Sequence, residues 1–440
     1  MALIYFEGPA GTGKTTSLMN RLIQELKETP LNDGQSILAL TFMHGSRRRL
    51  EAKMKAISAF GRNFICSTID SFAWRVCKRW IDLGRKTGIE PGDGEDDYEK
   101  TCEACAHLLE NPQVGSWVSA AHPFIVVDEA QDCVNVRVRM LRALASHATL
   151  LAAADHFQDL NCIEGEPAIT WLKENGQRIE LVTNHRTNAV GLLLAARAIR
   201  TGNMPVSDYK LGFTISHGYS NKVALASAAK GLIWNGCNDA AILCPGNIGN
   251  CAFFKFIVDG LMKEAVHVKW GKGKKEKRAN YGPFRIKYEE SRDEMFENLI
   301  TAIGLKNDTT KVRPQDLVFT EYKRGVAEIR DWIRAEVTLK GRTELTGDEI
   351  RVQSNRIIQR VRAYTAPSDS GIRAMTIHQA KNREFDNVII LWPYQIIPDT
   401  EKQKRLLYNG VTRAKNRCWV IVQGNSIERR LERMFENANA

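Results

Sequence analysis

The sequence has no run of about twenty uninterrupted apolar residues, so we expect no membrane-spanning segment. It enters an apolar strand within its first residues, and we therefore expect no signal peptide. Its ten cysteines are scattered, and one pair with C-x-x-C spacing, Cys102 and Cys105, lacks the second pair that a zinc or iron–sulfur site requires. We therefore expect reduced thiols and a cytoplasmic protein. We also find no nuclease motif.

The charge balance favours an anionic partner. The chain of 440 residues has 62 Lys and Arg against 51 Asp and Glu, a net charge of +11. Nucleic acid is the common partner of such proteins, although many basic proteins bind none. Hydrophobic content of 43% and charged content of 26% are typical of a globular protein with two or three domains at this length.

A phosphate-binding loop is the clearest motif in the sequence. An apolar run, Leu3 to Phe6, precedes it, and a segment with helical periodicity follows. The loop reads Gly8-Pro9-Ala10-Gly11-Thr12-Gly13-Lys14-Thr15 and continues into Thr16. This is the G-x-x-x-x-G-K-[ST] pattern, in which backbone amides and a helix N-terminus surround phosphate oxygens. We predict a nucleotide site, with Lys14 at the β- and γ-phosphates and Thr15 on Mg²⁺. The alternative, a glycine-rich turn, gives no reason for the Lys and the Thr.

A pair of carboxylates supplies the second half of such a site. The apolar run Phe124 to Val127 ends in Asp128 and Glu129. Downstream of a P-loop, this pattern predicts that Asp128 holds the Mg²⁺ shell and that Glu129 accepts a proton from the attacking water. The alternative is a strand that ends in acidic surface residues.

The rest of the chain alternates strand and helix patterns, with polar side chains where strands end. Gln158 follows one such strand and is positioned to sense the γ-phosphate. This layout predicts parallel sheets with a ligand at their carboxyl edge. We also predict a strand at Asp316–Thr320 and helices over 321–365. The basic run Lys269 to Arg278 is either a solvated loop or a phosphate contact.

Six stretches in chain order resemble the motifs of the UvrD/Rep/PcrA-type superfamily 1 helicases. They are the P-loop, Ala39-Leu40-Thr41-Phe42, Val127-Asp128-Glu129-Ala130-Gln131-Asp132, Asn184-His185-Arg186, Thr376-Ile377-His378-Gln379-Ala380-Lys381-Asn382-Arg383-Glu384-Phe385 and Leu407-Tyr408-Asn409-Gly410-Val411-Thr412-Arg413-Ala414. The resemblance runs from residue 3 to about residue 422, nearly the whole chain. Six ordered motifs are far more specific than any one of them.

The resemblance implies an α/β fold of two RecA-like P-loop NTPase domains, with parallel sheets flanked by helices and small insertions. ATP and Mg²⁺ would lie in the cleft between the domains. It implies that Arg186 and Arg413 are arginine fingers at the γ-phosphate, that Glu384 contacts the nucleotide, and that Gln158 links the γ-phosphate to movement. Positive charge that crosses a cleft stabilises phosphoryl transfer only when the domains close. The alternative for each arginine is an ordinary ion pair.

The resemblance also implies a track for single-stranded DNA over both domains. Its side chains would come from Thr41, Phe42, Ser67, Thr68, Phe72, Thr376 and His378. Aromatic rings stack on bases of any sequence, and hydroxyls and cations hold phosphates. For Phe42 and Phe72, a place in the hydrophobic core is the alternative.

The sequence departs from the family pattern where function is concerned. Only seven residues precede the P-loop, where the family has a glutamine segment that reads adenine, so another purine stays open. Asn161 and Ile163 stand where the family has DNA-stacking residues, and Glu164 replaces a cation, which predicts a weaker grip on DNA. Asn382-Arg383 replaces Gly-Leu, and Asp70 stands where the family often has histidine.

We predict a first RecA-like domain over residues 1–192, with a small insertion at about 84–120, and a second over 193–440, with an insertion at about 285–370. The predicted function is an ATP-dependent translocase or helicase on single-stranded or tailed DNA, with 3′–5′ direction implied by resemblance alone. The alternative is a regulatory ATPase subunit that senses nucleotides or DNA ends beside a partner such as a nuclease, with little unwinding. DNA repair and antiviral defence both stay open as settings.

Overall fold

The computed structural model divides the chain into two compact units. The residues that it describes are 2–92, 98–160, 167–233, 239–246, 251–270, 277–306, 310–320, 325–364, 371–394, 396, 399–426 and 429–436. The larger unit takes residues up to 288 and from 371 onward, and the smaller unit takes 289–364. Within these described ranges, no helix combines the length and the apolar content that crossing a membrane requires.

The first half of the larger unit is built on a parallel six-stranded sheet. Its strands are β1 (Leu3–Glu7), β2 (Ile37–Thr41), β3 (Phe64–Thr68), β4 (Phe124–Val127), β5 (Thr149–Ala154) and β6 (Gln177–Glu180), in the order β3-β2-β4-β5-β1-β6. The flanking helices are α1 (Lys14–Glu28), α2 (His44–Lys55), α3 (Ile69–Arg79), α4 (Ile81–Lys86), α5 (Tyr98–Glu110), α6 (Pro112–Ala121), α7 (Val136–Ala145) and α8 (Ala168–Asn175). Strands β2 and β4 are buried at every position because helices cover both faces.

The second half of the larger unit repeats this architecture. Its parallel sheet contains β7 (Phe213–Gly218), β8 (Asp239–Cys244), β11 (Ile286–Tyr288), β14 (Gly371–Thr376), β15 (Phe385–Trp392) and β16 (Ala414–Gln423), in the order β11-β14-β8-β15-β16-β7. Its helices are α9 (Val190–Arg200), α10 (Asn221–Ile233), α11 (Ala252–Lys263), α15 (Ile377–Ala380), α16 (Thr400–Val411) and α17 (Arg433–Glu436). An antiparallel hairpin of β9 (Val266–Trp270) and β10 (Lys277–Tyr281) accompanies it.

The smaller unit is a helical subdomain with its own core. It contains α12 (Arg292–Ala302), β12 (Lys311–Val312), α13 (Val326–Lys340), β13 (Leu345–Thr346) and α14 (Gly347–Tyr364). Its buried residues include Leu299, Ile329, Ile350 and Ile358. Helix α12 begins with a reciprocal capping box between Ser291 and Glu294, which satisfies two backbone amides at the helix start.

The two parallel sheets flanked by helices confirm the predicted α/β fold with two RecA-like domains. The helices predicted over 321–365 are present as α13 and α14. The strand predicted at Asp316–Thr320 is wrong: a 3-10 turn at Pro314–Asp316 is followed by irregular chain. The central part of the basic run, residues 271–276, lies outside the described residues.

Candidate nucleotide site and nucleic-acid face

The P-loop connects β1 to α1 at the carboxyl edge of the first sheet. Gly11 and Gly13 have φ of 83° and 78°, in the left-handed region that favours glycine. A Cβ on Gly11 would lie 2.7 Å from both Arg186 Cβ and Asn184 Nδ2. Two independent requirements, backbone conformation and close approach, therefore demand glycine at position 11.

Lys14 and Thr15 start helix α1 beside two acidic strand ends. Lys14 Nζ donates to the carbonyls of Gly8 at 2.8 Å and Pro9 at 3.1 Å. Thr15 Oγ1 lies 3.2 and 3.3 Å from the two carboxylate oxygens of Asp128. A hydroxyl and a carboxylate that meet at the start of a P-loop helix are the oxygen ligands that Mg²⁺ prefers, so these residues fit the ion. Thr16, the next residue of the helix, is exposed.

Glu129 has a left-handed backbone conformation, with φ 59° and ψ 45°, directly after Asp128 at the end of β4. Gln131 Nε2 donates to its Oε2 at 2.5 Å. Burial would raise the pKa of Glu129, but the ammonium groups of Lys14 and Lys381 and the Gln131 hydrogen bond hold it below its ordinary value. Burial and the charge of Glu129 raise the pKa of Asp128 to about 7. The pKa values of the two adjacent carboxylates are therefore shifted in opposite directions, and Glu129 is the one whose ionised form is favoured.

Two arginines lie at this edge: Arg186, in the segment between β6 and α9, and Arg413, between α16 and β16 of the second half. Arg186 forms an ion pair with Glu384, with Nε and Oε1 2.8 Å apart, and donates through Nη1 to the Thr412 carbonyl at 2.9 Å. Arg413 is 1% exposed. Burial and the charge of Arg186 lower the pKa of Arg413 to about 10, while the Glu129 carboxylate opposes that shift. Arg413 therefore stays charged at neutral pH within the electrostatic reach of Glu129.

Gln158 ends a short 3-10 turn, His156–Gln158, that follows β5, and it is 4% exposed. Helix α16 holds this turn by its backbone. Arg405 Nη1 donates to the His156 carbonyl at 2.6 Å, and Asn409 Nδ2 lies 3.5 Å from the Phe157 carbonyl. Residues 161–166, which include the unusual residues after Gln158, lie outside the described part of the chain.

Strand ends of both sheets carry the hydroxyl groups predicted to face DNA. Thr41 is 2% exposed and its Oγ1 donates to the Met43 carbonyl at 3.2 Å. Thr68 and Thr376 are N-caps, and each accepts a hydrogen bond from a backbone amide of the following helix. Ser67 is 5% exposed, whereas His378 on α15 is exposed.

The two aromatic residues of this set differ in environment. Phe42 is half-buried, and the Arg137 guanidinium lies 5.5 Å from its ring centroid. Phe72 is 4% exposed and packs in the hydrophobic core on one face of the first sheet. Phe72 thus occupies the core position that the sequence left as its alternative, and its ring is closed to bases in this structure. Asp70, the departure from the family's histidine, pairs with the same Arg137 at 2.9 Å.

Sequence reasoning assigned no role to several residues that the structure places at the cleft. Lys381 pairs with Asp132 across the two sheets, with Nζ and Oδ1 2.5 Å apart. Asp155 is fully buried and contacts Arg200 and Tyr408. Lys381, Asp132 and Tyr408 stand inside recognised motifs, and Asp155 follows a strand, so the motifs were the available signal. Arg200 had none.

A cavity of about 690 Å³ opens beside the first half of the P-loop. Its lining includes Pro9, Arg178, Arg186, Leu192 and Tyr408. Apolar walls with a few charged groups at the rim are typical of a cavity that accepts a small molecule.

A P-loop after β1, an Asp-Glu pair after β4 in the same sheet and two RecA-like sheets define a P-loop NTPase. Residues 2–163 match a family model described as an AAA domain, and residues 371–421 match the UvrD-like helicase C-terminal domain. These two matches indicate a similarity to the UvrD-like superfamily 1 helicases, in agreement with the resemblance of the ordered motifs.

No curated protein matches the chain. Among solved structures, one similar chain is Arterivirus nonstructural protein 10, a helicase, in complex with DNA. The two are 11% identical with a TM-score of 0.38, and the match covers 99% of this chain and 63% of the viral one. The present chain thus spans less than two thirds of that protein's length.

Proposed function

We propose that this chain hydrolyses a nucleoside triphosphate, ATP by family resemblance, in a Mg²⁺-dependent reaction between its two sheets. The observation that carries the proposal is the convergence of Thr15, Asp128 and Glu129 at the edge of the first sheet with Arg186, which follows the last strand of that sheet, and Arg413 from the second sheet. Mg²⁺ when bound would neutralise phosphate charge, and Thr15 and Asp128 are the residues that would hold it.

Glu129 is the proposed general base. A base must be ionised before it can accept a proton from water, and Lys14 and Lys381 favour its carboxylate. The ammonium group of Lys14 and the guanidinium groups of Arg186 and Arg413 are the proposed contacts to the phosphates. Lys14 exchanges its P-loop carbonyl partners for phosphate oxygens, and Arg186 and Arg413 stabilise the charge that develops at the γ-phosphate. Glu384, the ion-pair partner of Arg186, is the proposed contact of the second sheet with the nucleotide.

We further propose that hydrolysis moves the chain along single-stranded DNA, with 3′–5′ direction taken from the resemblance. The proposed track runs along the ends of β-strands and the starts of the helices that follow them, where single-stranded DNA could cross both sheets. Its residues are Thr41, Phe42, Thr68, Thr376 and His378. The net charge of +11 supports an anionic track. We also propose that residues 1–192 form the first RecA-like domain and residues 193–440 the second.

The rival function is a regulatory ATPase subunit that senses nucleotide or DNA ends and unwinds little. Phe72 is buried, and Arg137 covers Phe42, so the aromatic platform for bases is small. This observation favours a weak grip on DNA, and a partner such as a nuclease would then supply the rest of the activity.

The test is hydrolysis by the wild-type chain, Lys14→Ala and Glu129→Gln, each with and without Mg²⁺ and single-stranded DNA. Lys14→Ala should abolish turnover, and Glu129→Gln should bind nucleotide but turn over about 10²-fold more slowly. Lys27→Ala is the matched control because Lys27 stands in the last turn of the same helix. Unchanged hydrolysis in Glu129→Gln would show that the base lies elsewhere.

Strand displacement from a tailed duplex separates the two functions. DNA-stimulated hydrolysis with displacement supports the motor. Hydrolysis that is indifferent to DNA but changes when a co-purifying protein is added supports the sensor.

A further inference from the structure

A buried cluster of polar groups joins α9 and α16 of the second sheet to the P-loop. Asp155, at the end of β5, is fully buried. Arg200 Nη1 donates to its Oδ1 at 2.5 Å, and the Tyr408 hydroxyl donates to its Oδ2 at 3.1 Å. The Ala10 amide in turn donates to the Tyr408 oxygen at 2.9 Å. One tyrosine hydroxyl therefore bonds both the P-loop backbone and the strand end beside it.

The same carboxylate faces the P-loop lysine. Asp155 Oδ2 and Lys14 Nζ are 3.9 Å apart, with side-chain exposures of 0% and 10%. Asp155 thus balances the charges of Lys14 from the first sheet and Arg200 from the second. A change in either partner alters the field at the other because little water screens them.

Aromatic packing keeps this cluster rigid. The rings of Phe157 and Tyr408 meet edge to face, with centroids 5.1 Å apart. The Arg200 guanidinium lies 5.4 Å from the Tyr408 centroid and 5.6 Å from that of Phe157. Burial, with the Asp155 charge, raises the pKa of Tyr408 well above its ordinary value, so its hydroxyl keeps the proton that it donates.

We propose that Tyr408 and Arg200 are positioning residues for nucleotide hydrolysis, which fix the P-loop and the Asp155–Lys14 pair once the second sheet closes on the first. The inference rests on the proposed function. The P-loop amides belong to the first sheet alone, so initial nucleotide binding does not need these contacts. They stabilise the closed arrangement, in which Arg186 and Arg413 reach the phosphates. Their loss therefore lowers kcat more than it weakens binding.

The test begins with Tyr408→Phe, which keeps the ring against Phe157 and removes only the hydroxyl. We expect kcat to fall about tenfold while the nucleotide Kd stays within about twofold, from the usual worth of buried hydrogen bonds to a charged group. Arg200→Met should act in the same direction, and Arg200→Lys should recover part of the loss. The double variant should lose less than the product of the single effects because both residues act through Asp155.

The matched control is Tyr288→Phe. The Tyr288 hydroxyl donates to Asp259 at 2.9 Å within the second half of the unit, which is the same chemistry away from the P-loop. Its kcat should stay within about twofold of wild type. Equal losses of kcat in the two phenylalanine variants, or matched changes in kcat and Kd in Tyr408→Phe, would overturn the positioning role.

Amide hydrogen exchange tests the cluster without reference to turnover. The P-loop peptide that contains Ala10 should exchange faster in Tyr408→Phe than in wild type, and Tyr288→Phe should leave it unchanged. Unaltered exchange in Tyr408→Phe overturns the inference. A wild-type chain without Mg²⁺-dependent hydrolysis contradicts the proposed function instead, and the exchange result then still decides whether the cluster holds the P-loop.

Discussion

Removing Lys381 should destabilise the protein, because the Asp132 carboxylate loses the ammonium group that lies 2.5 Å from its Oδ1. The side chains of Lys381 and Asp132 are 8% and 3% exposed, so the pair is screened little by water. Breaking a buried ion pair by removing one partner costs about 3–5 kcal/mol. For a chain of this size, that corresponds to a fall of about 3–5 °C in the thermal unfolding midpoint of Lys381→Met.

The pH dependence gives this prediction its sign. Burial raises the pKa of Asp132 to about 6 even though Lys381 opposes the shift. Without Lys381 the pKa rises further, so folding of the variant is penalised most above about pH 7, where Asp132 must ionise. As pH falls through the folded-state pKa, Asp132 becomes neutral in both proteins and the difference in midpoint should shrink. Melting curves at about pH 8 and about pH 5 test this.

Two controls sharpen the experiment. Asp132→Asn combined with Lys381→Met removes both charges and should recover more than half of the loss. Lys311→Met removes an exposed partner of Glu344, where the side chains are 72% and 53% exposed, and should cost less than about 0.5 kcal/mol. A Lys381→Met midpoint within about 1 °C of wild type at the higher pH, or a double variant no better than the single one, would refute the reasoning.

Further predictions concern activity and the DNA face. Lys381→Met should shift the acid limb of the pH–rate profile to higher pH, because Lys381 helps to lower the pKa of Glu129. An unshifted profile would show that Lys381 does not control the ionisation of Glu129. Arg413→Ala should spare nucleotide binding and slow turnover about 10³-fold, measured as kcat beside equilibrium binding, and equal kcat would remove it from the site. Phe42→Ala should weaken binding of single-stranded DNA by about 1–3 kcal/mol in a fluorescence titration. Phe72→Ala should instead lower the unfolding free energy by about 3–5 kcal/mol. Weaker DNA binding in Phe72→Ala together with lost stability in Phe42→Ala would show that Phe72 contacts DNA and Phe42 belongs to the core.

The sequence predicted those parts of the site that short segments determine. A strand, a glycine-rich loop and a helix are consecutive in the chain, so the P-loop could be located from the order of residues alone. The Asp-Glu pair at the end of β4 was predictable for the same reason. Periodicity does not say which side of a helix a ring faces, so the core and DNA alternatives for Phe72 stayed open. The false strand at Asp316–Thr320 was a short apolar run, and such runs occur in loops that pack against helices as well as in sheets.

Contacts between distant segments were beyond sequence reasoning. Tyr408 and Asp155 are 253 positions apart, and Arg200 stands in a helix whose pattern gives no sign of a charged partner. The Lys381–Asp132 pair joins two motifs, but each motif alone fits an exposed lysine or aspartate equally well. Such pairs become visible only when the strand order brings their ends to one edge.

The contacts between the sheets also limit the routes by which hydrolysis could change the position of the second sheet. Glu129 and Asp132 belong to one short turn, and Gln131 between them accepts a hydrogen bond from the Asp155 amide at 3.0 Å. A shift of that turn therefore acts on Lys381 through Asp132 and on Tyr408 through Asp155. Lys381 directly follows α15 and Tyr408 lies on α16, so both motifs of the second half would respond to one local change. Under the proposed function, weakening only the Asp132–Lys381 contact or only the Asp155–Tyr408 contact should reduce the stimulation of hydrolysis by DNA without abolishing DNA binding or hydrolysis. Weakening both contacts should leave hydrolysis that DNA no longer stimulates.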